Sequence, residues 1–264
     1  MLRRHGLTPK RSFSQSFLVA RHAVERIVEA LDPSPDELTV ELGPGLGTLT
    51  GELLRAGARV LAIERDPDMI AVLRQELGAV DRFEVREGDA ATVDLGELAA
   101  SGRIALAGNL PYAITGGILR NLVEHRRSLR RAVIMVQREV RDRLLASPGD
   151  KTWGASSVFV QAAFAVSGVI KVPAGAFHPP PKVDSAVLRF DPLETPRAEE
   201  TEAFRAIVKA AFGQRRKTLR NALRGLEGDL DGALAAADID PGRRGETLTI
   251  EDFARVARAW EASS

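Results

Sequence analysis

The densest concentration of reactive possibilities in the chain is Gly108-Asn109-Leu110-Pro111-Tyr112. An amide side chain, a backbone carbonyl followed by proline, and an aromatic ring stand side by side. The Asn109 side-chain carbonyl and the Leu110 backbone carbonyl can each accept one hydrogen of an exocyclic amine. Engaging both shifts the nitrogen toward sp³ character and aims its lone pair at an electrophile. Pro111 fixes φ and so points the carbonyl. Tyr112 offers a face on which a flipped-out base can stack, a contact of roughly 1–3 kcal/mol. No strong base is required, because alkylation makes the amine acidic and positioning supplies most of the acceleration. Taken alone, the same residues also suit a simple turn at a strand end.

Three further stretches could hold a nucleotide-like ligand beside it. Glu41-Leu42-Gly43-Pro44-Gly45-Leu46-Gly47 leaves an apolar run and enters a helical pattern, and glycines there let the backbone turn tightly and approach a ligand. Dehydrogenases use G-x-G-x-x-G to seat a pyrophosphate. The G-x-G-x-G spacing here, with Glu41 before it, resembles instead the methyltransferase loop, whose ligand has no phosphate. Glu64 ends the next apolar run, where a carboxylate can accept hydrogen bonds from both ribose hydroxyls, although an NAD enzyme can place an acid there too. Asp89, after the third run, can receive an adenine amine or cap a helix. The ordered set argues for one pocket at the carboxyl ends of adjacent strands.

The elements that must position these residues are legible as periodicities. Strands are predicted at 38–42, 59–63, 82–85, 104–107 and 132–136, each followed by a helical stretch, the pattern of a parallel sheet covered on both faces. Ile118, Leu119, Leu122 and Val123 recur at helical spacing. Residues 166–172 and 183–190 are strand-like with only a Pro-rich loop between them, so they should pair antiparallel. Residues 191–197 resemble a linker. Beyond it, Phe204, Ile207, Val208, Ala211 and Phe212 form one amphipathic face, and Phe253, Val256, Ala257 and Trp260 another. The expected organisation is an α/β catalytic domain over 1–192, beginning with a basic lid segment at 1–24, and a small all-α domain over 193–264.

Composition narrows the chemistry. The 264 residues are 44% hydrophobic, with no apolar run near the roughly 20 residues of a membrane span and no secretory h-region at the start. No membrane partner and a cytoplasmic location are expected. Cysteine is absent and the four histidines are not spaced as zinc ligands, so no metal site is expected and the cofactor should be organic. Net charge is only +1, but three clusters are basic: Arg3, Arg4, Lys10, Arg11 and Arg21; Arg126, Arg127, Arg130 and Arg131; Arg215, Arg216, Lys217, Arg220 and Arg224. Such clusters suit a phosphate backbone, or simply solvate helix faces. The acid-poor start also has the composition of a transit peptide, against which stands the motif at Gln15.

Asn-Leu-Pro-Tyr matches the (N/D/S)-(I/L/P)-P-(Y/F/W) motif of amino-methyltransferases. Together with Gln137-Arg138-Glu139-Val140, Lys151-Thr152-Trp153-Gly154 with Gln161, Phe177 through Val187, Phe212 through Asn221 and Glu246-Thr247-Leu248, it resembles the ribosomal RNA adenine N6,N6-dimethyltransferases nearly end to end. That resemblance implies a Rossmann-like class I S-adenosylmethionine-dependent fold with a seven-stranded, mostly parallel sheet and a small C-terminal all-α, RNA-binding domain. It implies double methylation at N6 of two adjacent adenosines in the 3′-terminal hairpin of 16S rRNA, within an immature small ribosomal subunit. A monomer is expected. Catalytic positions would be Asn109, Leu110, Pro111, Tyr112 and Phe177, the last stacking on the base or covering the methyl donor. Cofactor positions would be Ser16, Leu18, Gly43, Gly45, Glu64, Asp89 and Asn109. RNA contacts would come from Arg3, Arg4, Lys10, Arg11, Arg215, Arg216, Lys217 and Arg220. The family's G-Q-N-F-L is Ser14-Gln15-Ser16-Phe17-Leu18 here, so Ser16 replaces an Asn whose amide reaches the cofactor. Alternatives are the related large-subunit 23S rRNA enzyme of antibiotic resistance, a non-catalytic assembly or transcription factor on the same fold, and, more distantly, a dehydrogenase.

Overall fold

The computed structural model describes residues 2–10, 15–109 and 112–263. The side chain of Arg3, all of Arg11, and Leu110 and Pro111 of the Asn-Leu-Pro-Tyr motif lie outside the described residues. Among the described residues no helix is long and apolar enough to cross a membrane.

The chain forms β1 (Phe17–Leu18), α1 (Arg21–Leu31), β2 (Leu38–Leu42), α2 (Thr48–Arg55), β3 (Arg59–Glu64), α3 (Pro67–Leu77), β4 (Phe83–Glu87), α4 (Leu95–Leu98), β5 (Ile104–Asn109) and α5 (Thr115–Glu124). It continues through β6 (Leu129–Gln137), α6 (Arg138–Leu144), α7 (Ala155–Ala163), β7 (Phe164–Val172), β8 (Phe177–His178) and β9 (Ser185–Pro192). Four helices close it: α8 (Glu202–Gly213), α9 (Leu219–Leu223), α10 (Leu230–Ala236) and α11 (Ile250–Ser263).

Seven strands make one sheet in the order β4-β3-β2-β5-β6-β9-β7. The five strands expected from alternation pair in parallel, and β9 pairs antiparallel with β6 from Ala132↔Phe190 to Gln137↔Ser185. The two late strands are neighbours, as expected, but β9 inserts between β6 and β7 and leaves β7 at the edge. The middle strands read as unbroken apolar runs because both faces are covered: Ala105, Leu106 and Ala107 of β5 and Ala132, Val133 and Val136 of β6 are fully buried. Ile27 and Leu31 of α1 and Leu53 of α2 share a core with Ala105 and Val133, and Ile118 and Leu122 of α5 are also buried. Helix α3 starts at a sequence-encoded stop, with Asp66 as N-cap accepting from the Asp68 amide and Pro67 in the first turn.

Two compact units result, one of residues 1–141 with 166–192 and one of 142–165 with 193–264. The break at 192/193 is where a linker was expected. Residues 142–165, however, were expected in the first domain and group with the C-terminal helices. The reason is apolar burial: Trp153, Val158 and Ala162 join Phe204, Ile207, Val208 and Phe253 in one core. Trp153 satisfies its indole N–H on the Leu248 carbonyl at 3.2 Å, and Gln161 donates to the carbonyls of Leu144 and Ala146.

Candidate active site

Strand order reverses between β2 and β5, and in an open α/β sheet the loops part at such a point to leave a crevice at the carboxyl ends of the strands. Here the crevice is a cavity of about 1290 Å³, lined by Glu41, Gly43, Gly45, Glu64, Asp89, Asn109, Tyr112 and Phe177, and by Lys10, Gln15, Ser16 and Leu18 from the N-terminal arm. All the expected cofactor positions, and every described catalytic position, therefore line one space.

The loop after β2 holds Gly45 and Gly47 at φ of 55° and 77°, in the left-handed region that favours glycine. A Cβ on Gly45 would lie 3.1 Å from the Phe17 ring, and one on Gly47 only 2.9 Å from Leu73. With glycine at 43 and 45, the loop brings bare main chain to the cavity at these two positions, beside Pro44 and Leu46.

Glu64 ends β3 with its carboxylate oriented by three backbone amides. Its Oε1 accepts from Arg65 at 2.8 Å and Asp66 at 2.9 Å, and its Oε2 accepts from Gly45 at 3.1 Å. Asp89 follows β4. Its Oδ1 accepts from the Ala91 amide at 2.9 Å while Oδ2 lies 3.3 Å from Arg65 Nη1. Asp89 caps no helix, since α4 starts at Leu95 with Asp94 as its N-cap; its Oδ1 holds the turn at Ala91 and the residue lines the pocket. Glu41, at the end of β2, is buried and accepts a 2.6 Å hydrogen bond from the Thr50 hydroxyl. Burial pushes its carboxyl up to about 8; the Thr50 hydrogen bond opposes the rise and the charge of Glu64 adds to it.

This donor set fits S-adenosylmethionine better than a dinucleotide. Gly43-Pro44-Gly45-Leu46-Gly47 carries no cationic side chain, stands between two acids, and already gives its Gly45 amide to Glu64. A pyrophosphate would meet carboxylates, whereas a cationic sulfonium ligand with a ribose meets acceptors.

On the opposite side, Asn109 ends β5, in register with Met135 of β6. The Tyr112 hydroxyl lies 2.6 Å from the Ser185 hydroxyl at the start of β9. Phe177 is only 4% exposed and belongs to the core cluster beneath α1, yet it also lines the cavity. The ring is a core aromatic that also borders the cavity. Strand β1 pairs with β8, Phe17 opposite His178 and Leu18 opposite Phe177. Ser16 gives its hydroxyl to the Pro179 carbonyl at 2.8 Å, so this side chain ties the arm to the proline loop.

The basic residues divide. Lys10, expected on phosphate, is corrected: its ammonium sits 2.6 Å from both Asp66 Oδ1 and Asp68 Oδ2, and the hydrogen bond it donates to Asp66, then that to Asp68, holds its pKa above the ordinary value. Arg4 pairs with Glu76 while staying largely exposed. In the cluster at 126–131 Arg130 grips Glu37 and the carbonyls of Leu31 and Asp32, and Arg131 grips Asp191 and the carbonyl of Leu31, so these two fasten the end of α1 to the sheet. Arg215 and Arg220 are exposed beside Glu246 and Asp231, and Arg216 and Lys217 are exposed. Sequence reasoning missed Glu41, Ser185 and Asp66 as parts of the site. Asp66-Pro67 reads fully as a helix cap, so nothing in its spacing announced a partner in the arm.

A seven-stranded sheet of this order, with a glycine loop after β2 and acids after β3 and β4, defines a class I S-adenosylmethionine-dependent methyltransferase. A profile described as ribosomal RNA adenine dimethylase matches residues 6–261, and the chain belongs to that family. It is 46% identical over 266 residues to the ribosomal RNA small subunit methyltransferase A of Myxococcus xanthus, covering 98% of this chain and 93% of the relative. Among solved structures, a dimethyladenosine transferase from Plasmodium falciparum superposes with a TM-score of 0.80 at 24% identity, covering 94% of this chain and 98% of that one. The 23S rRNA methyltransferase ErmE superposes at 0.70 with 27% identity, covering 93% and 99%.

Proposed function

We propose that the protein dimethylates N6 of two adjacent adenosines in the 3′-terminal hairpin of 16S rRNA, acting as a monomer on an immature small ribosomal subunit in the cytoplasm. The observation that carries this is the convergence of Asn109 and Tyr112 with Glu64, Asp89 and the glycine loop on one cavity. The target subunit follows the relative at 46% identity, whose name specifies the small subunit, over ErmE at 27%.

S-adenosylmethionine, when bound, supplies an electrophilic methyl group. Glu64 holds the ribose hydroxyls and Asp89 receives the adenine amine. The side-chain carbonyl of Asn109 and the backbone carbonyl of Leu110 take the two N6 hydrogens of the substrate base. The rings of Tyr112 and Phe177 hold the flipped base in plane, so its lone pair lies along the line of transfer. The N6 proton, acidified by alkylation, leaves to water. Arg216 and Lys217, with Arg215 and Arg220, meet phosphates from the helical unit, as do Arg3, Arg4 and Arg11 from the arm.

The test is transfer of labelled methyl groups to separated small and large subunits from a strain lacking the enzyme, followed by mapping of dimethyladenosine in both rRNAs. Paired modification in 16S rRNA is the expected product; label in 23S rRNA alone would identify the large-subunit enzyme instead. RNA affinity should fall steeply with added salt, because each neutralised phosphate releases counterions. A flat response would remove the basic residues from the interface.

A further inference from the structure

Asp66 is fully buried, and as an N-cap it needs only the Asp68 amide, which its Oδ1 accepts at 3.1 Å. Both of its oxygens carry more. Lys10 Nζ donates to Oδ1 at 2.6 Å and Gln15 Nε2 donates to Oδ2 at 2.7 Å. The two arm residues are also joined to each other, since the Lys10 amide donates to Gln15 Oε1 at 2.8 Å. Lys10 and Gln15 are therefore joined to each other and fastened to the cap of α3. From Gln15 the arm crosses to the other rim, where Ser16 holds the Pro179 carbonyl, Val19 N–H donates to Ala176 at 2.8 Å, and the Phe17 ring rests on Gly45. Earlier in the arm, His5 is 2.7 Å from Glu76 at the far end of α3. Among the described residues the arm is thus held at three places, on Glu76, on Asp66 and on the proline loop, and the middle fastening involves Lys10 and Gln15, which line the cavity.

That fastening is also coupled to the ribose acid. The Asp66 amide donates to Glu64 Oε1, so whatever holds Asp66 in place also holds one of the three donors that orient Glu64.

We propose that Asp66 is a positioning residue of the cofactor site: through Lys10 and Gln15 it latches the N-terminal arm across the cavity, and the adenosyl ligand exchanges when this latch opens. The proposal rests on the cavity being the S-adenosylmethionine site, and its test separates the two. Asp66→Asn risks the fold, so the variants are Lys10→Met and Gln15→Leu on the arm side, with Lys10→Arg as the conservative replacement. The first readout needs no ligand: backbone amide exchange over residues 15–20 is faster in Lys10→Met and Gln15→Leu than in the parent, and is restored in Lys10→Arg. The second uses radiolabelled S-adenosylhomocysteine as probe. Its release is faster by about tenfold or more in Lys10→Met, which loses the contacts to Asp66 and Asp68 together, while the KM for ribosomal substrate is unmoved. Unchanged arm exchange in Lys10→Met overturns the latch, and so does a loosened arm with an unchanged release rate. Failure of S-adenosylhomocysteine to bind the parent protein would instead strike the cofactor assignment, leaving the arm exchange to decide the latch by itself.

Discussion

The two sides of the cavity are held in different ways. The side at the ends of β2, β3 and β4 is shaped by main chain: three amides orient Glu64, one orients Asp89, and glycine loop backbone lines the space between them. On the side formed by the arm, Tyr112 and the proline loop, side-chain fastenings are added to the β1–β8 pairing, with Lys10 and Gln15 on Asp66, Ser16 on Pro179 and Tyr112 on Ser185. Amide donors come with the fold and do not depend on the side chain of the residue that carries them, proline excepted, so they suit a ligand that is always the same. Side-chain fastenings open at the loss of one hydrogen bond, which suits the side through which a cofactor must pass and against which a base must be placed and withdrawn.

The sharpest way to divide the two sides is Asn109→Ala. It removes an acceptor from the reacting amine and leaves the main-chain side untouched, so turnover should fall by roughly 10³, the scale set by losing one preorganised hydrogen-bonding group at a reacting centre. Binding of RNA by filter retention should be largely spared. Turnover within a few-fold of the parent would show that Asn109 does not hold the amine.

The next largest effect lies on the main-chain side, at Glu41. Its carboxyl titrates near 8 in the fold and near 4.5 when exposed, so the folded state keeps a proton that the unfolded chain has released. That contribution is complete below about pH 4.5 and is lost as pH rises through 8. Stability of the ligand-free protein should therefore fall by about 3 kcal/mol between pH 5 and pH 8 from this group alone. Glu41→Gln should flatten the decline, as read by denaturant unfolding at several pH values. An equally steep decline in the variant would assign it to other groups.

Glu64→Gln tests whether the amides hold a charge or only a shape. Oxygen acceptors remain for some of the donors, but the charge-assisted component goes, so the Kd for S-adenosylmethionine should rise by about 10- to 100-fold. Near-infrared or fluorescence readouts are unnecessary, since calorimetry reads the change directly. An unchanged Kd would mean the ribose is held elsewhere.

These two sides were not equally legible in the residues. Glycine spacing and acids at successive strand ends announce a main-chain-built site, because each depends on its own strand and the turn after it. Alternation likewise revealed the five parallel strands, and helical spacing gave the faces of α5, α8 and α11. The arm's fastenings join residues tens of positions apart and leave no period. Lys10 looked like a phosphate contact because a cation in an acid-poor stretch has no visible partner; its partners, Asp66 and Asp68, were hidden behind a helix cap. Arg130 and Arg131 were obscured in the same way. Residues 142–165 were assigned with the strands around them, since local pattern shows that Trp153 and Val158 want burial but not in which core.

The smallest effect is the most specific test of the side-chain-held side. Ser185 is buried, and its hydroxyl is 2.6 Å from that of Tyr112. A stacking ring free to tilt still stacks, but over a wider range of planes, only some of which put the base amine at the Asn109 carbonyl. Ser185→Ala should therefore lower kcat/KM for ribosomal substrate by about three- to tenfold, the range of one neutral hydrogen bond, with the Kd for S-adenosylhomocysteine unchanged. Tyr112→Phe keeps the ring and removes the same bond, so it should produce a similar loss, and the double variant should lose no more than either single one. Losses that multiply in the double variant would mean the two residues act separately, and Ser185 would then be a packing residue of β9.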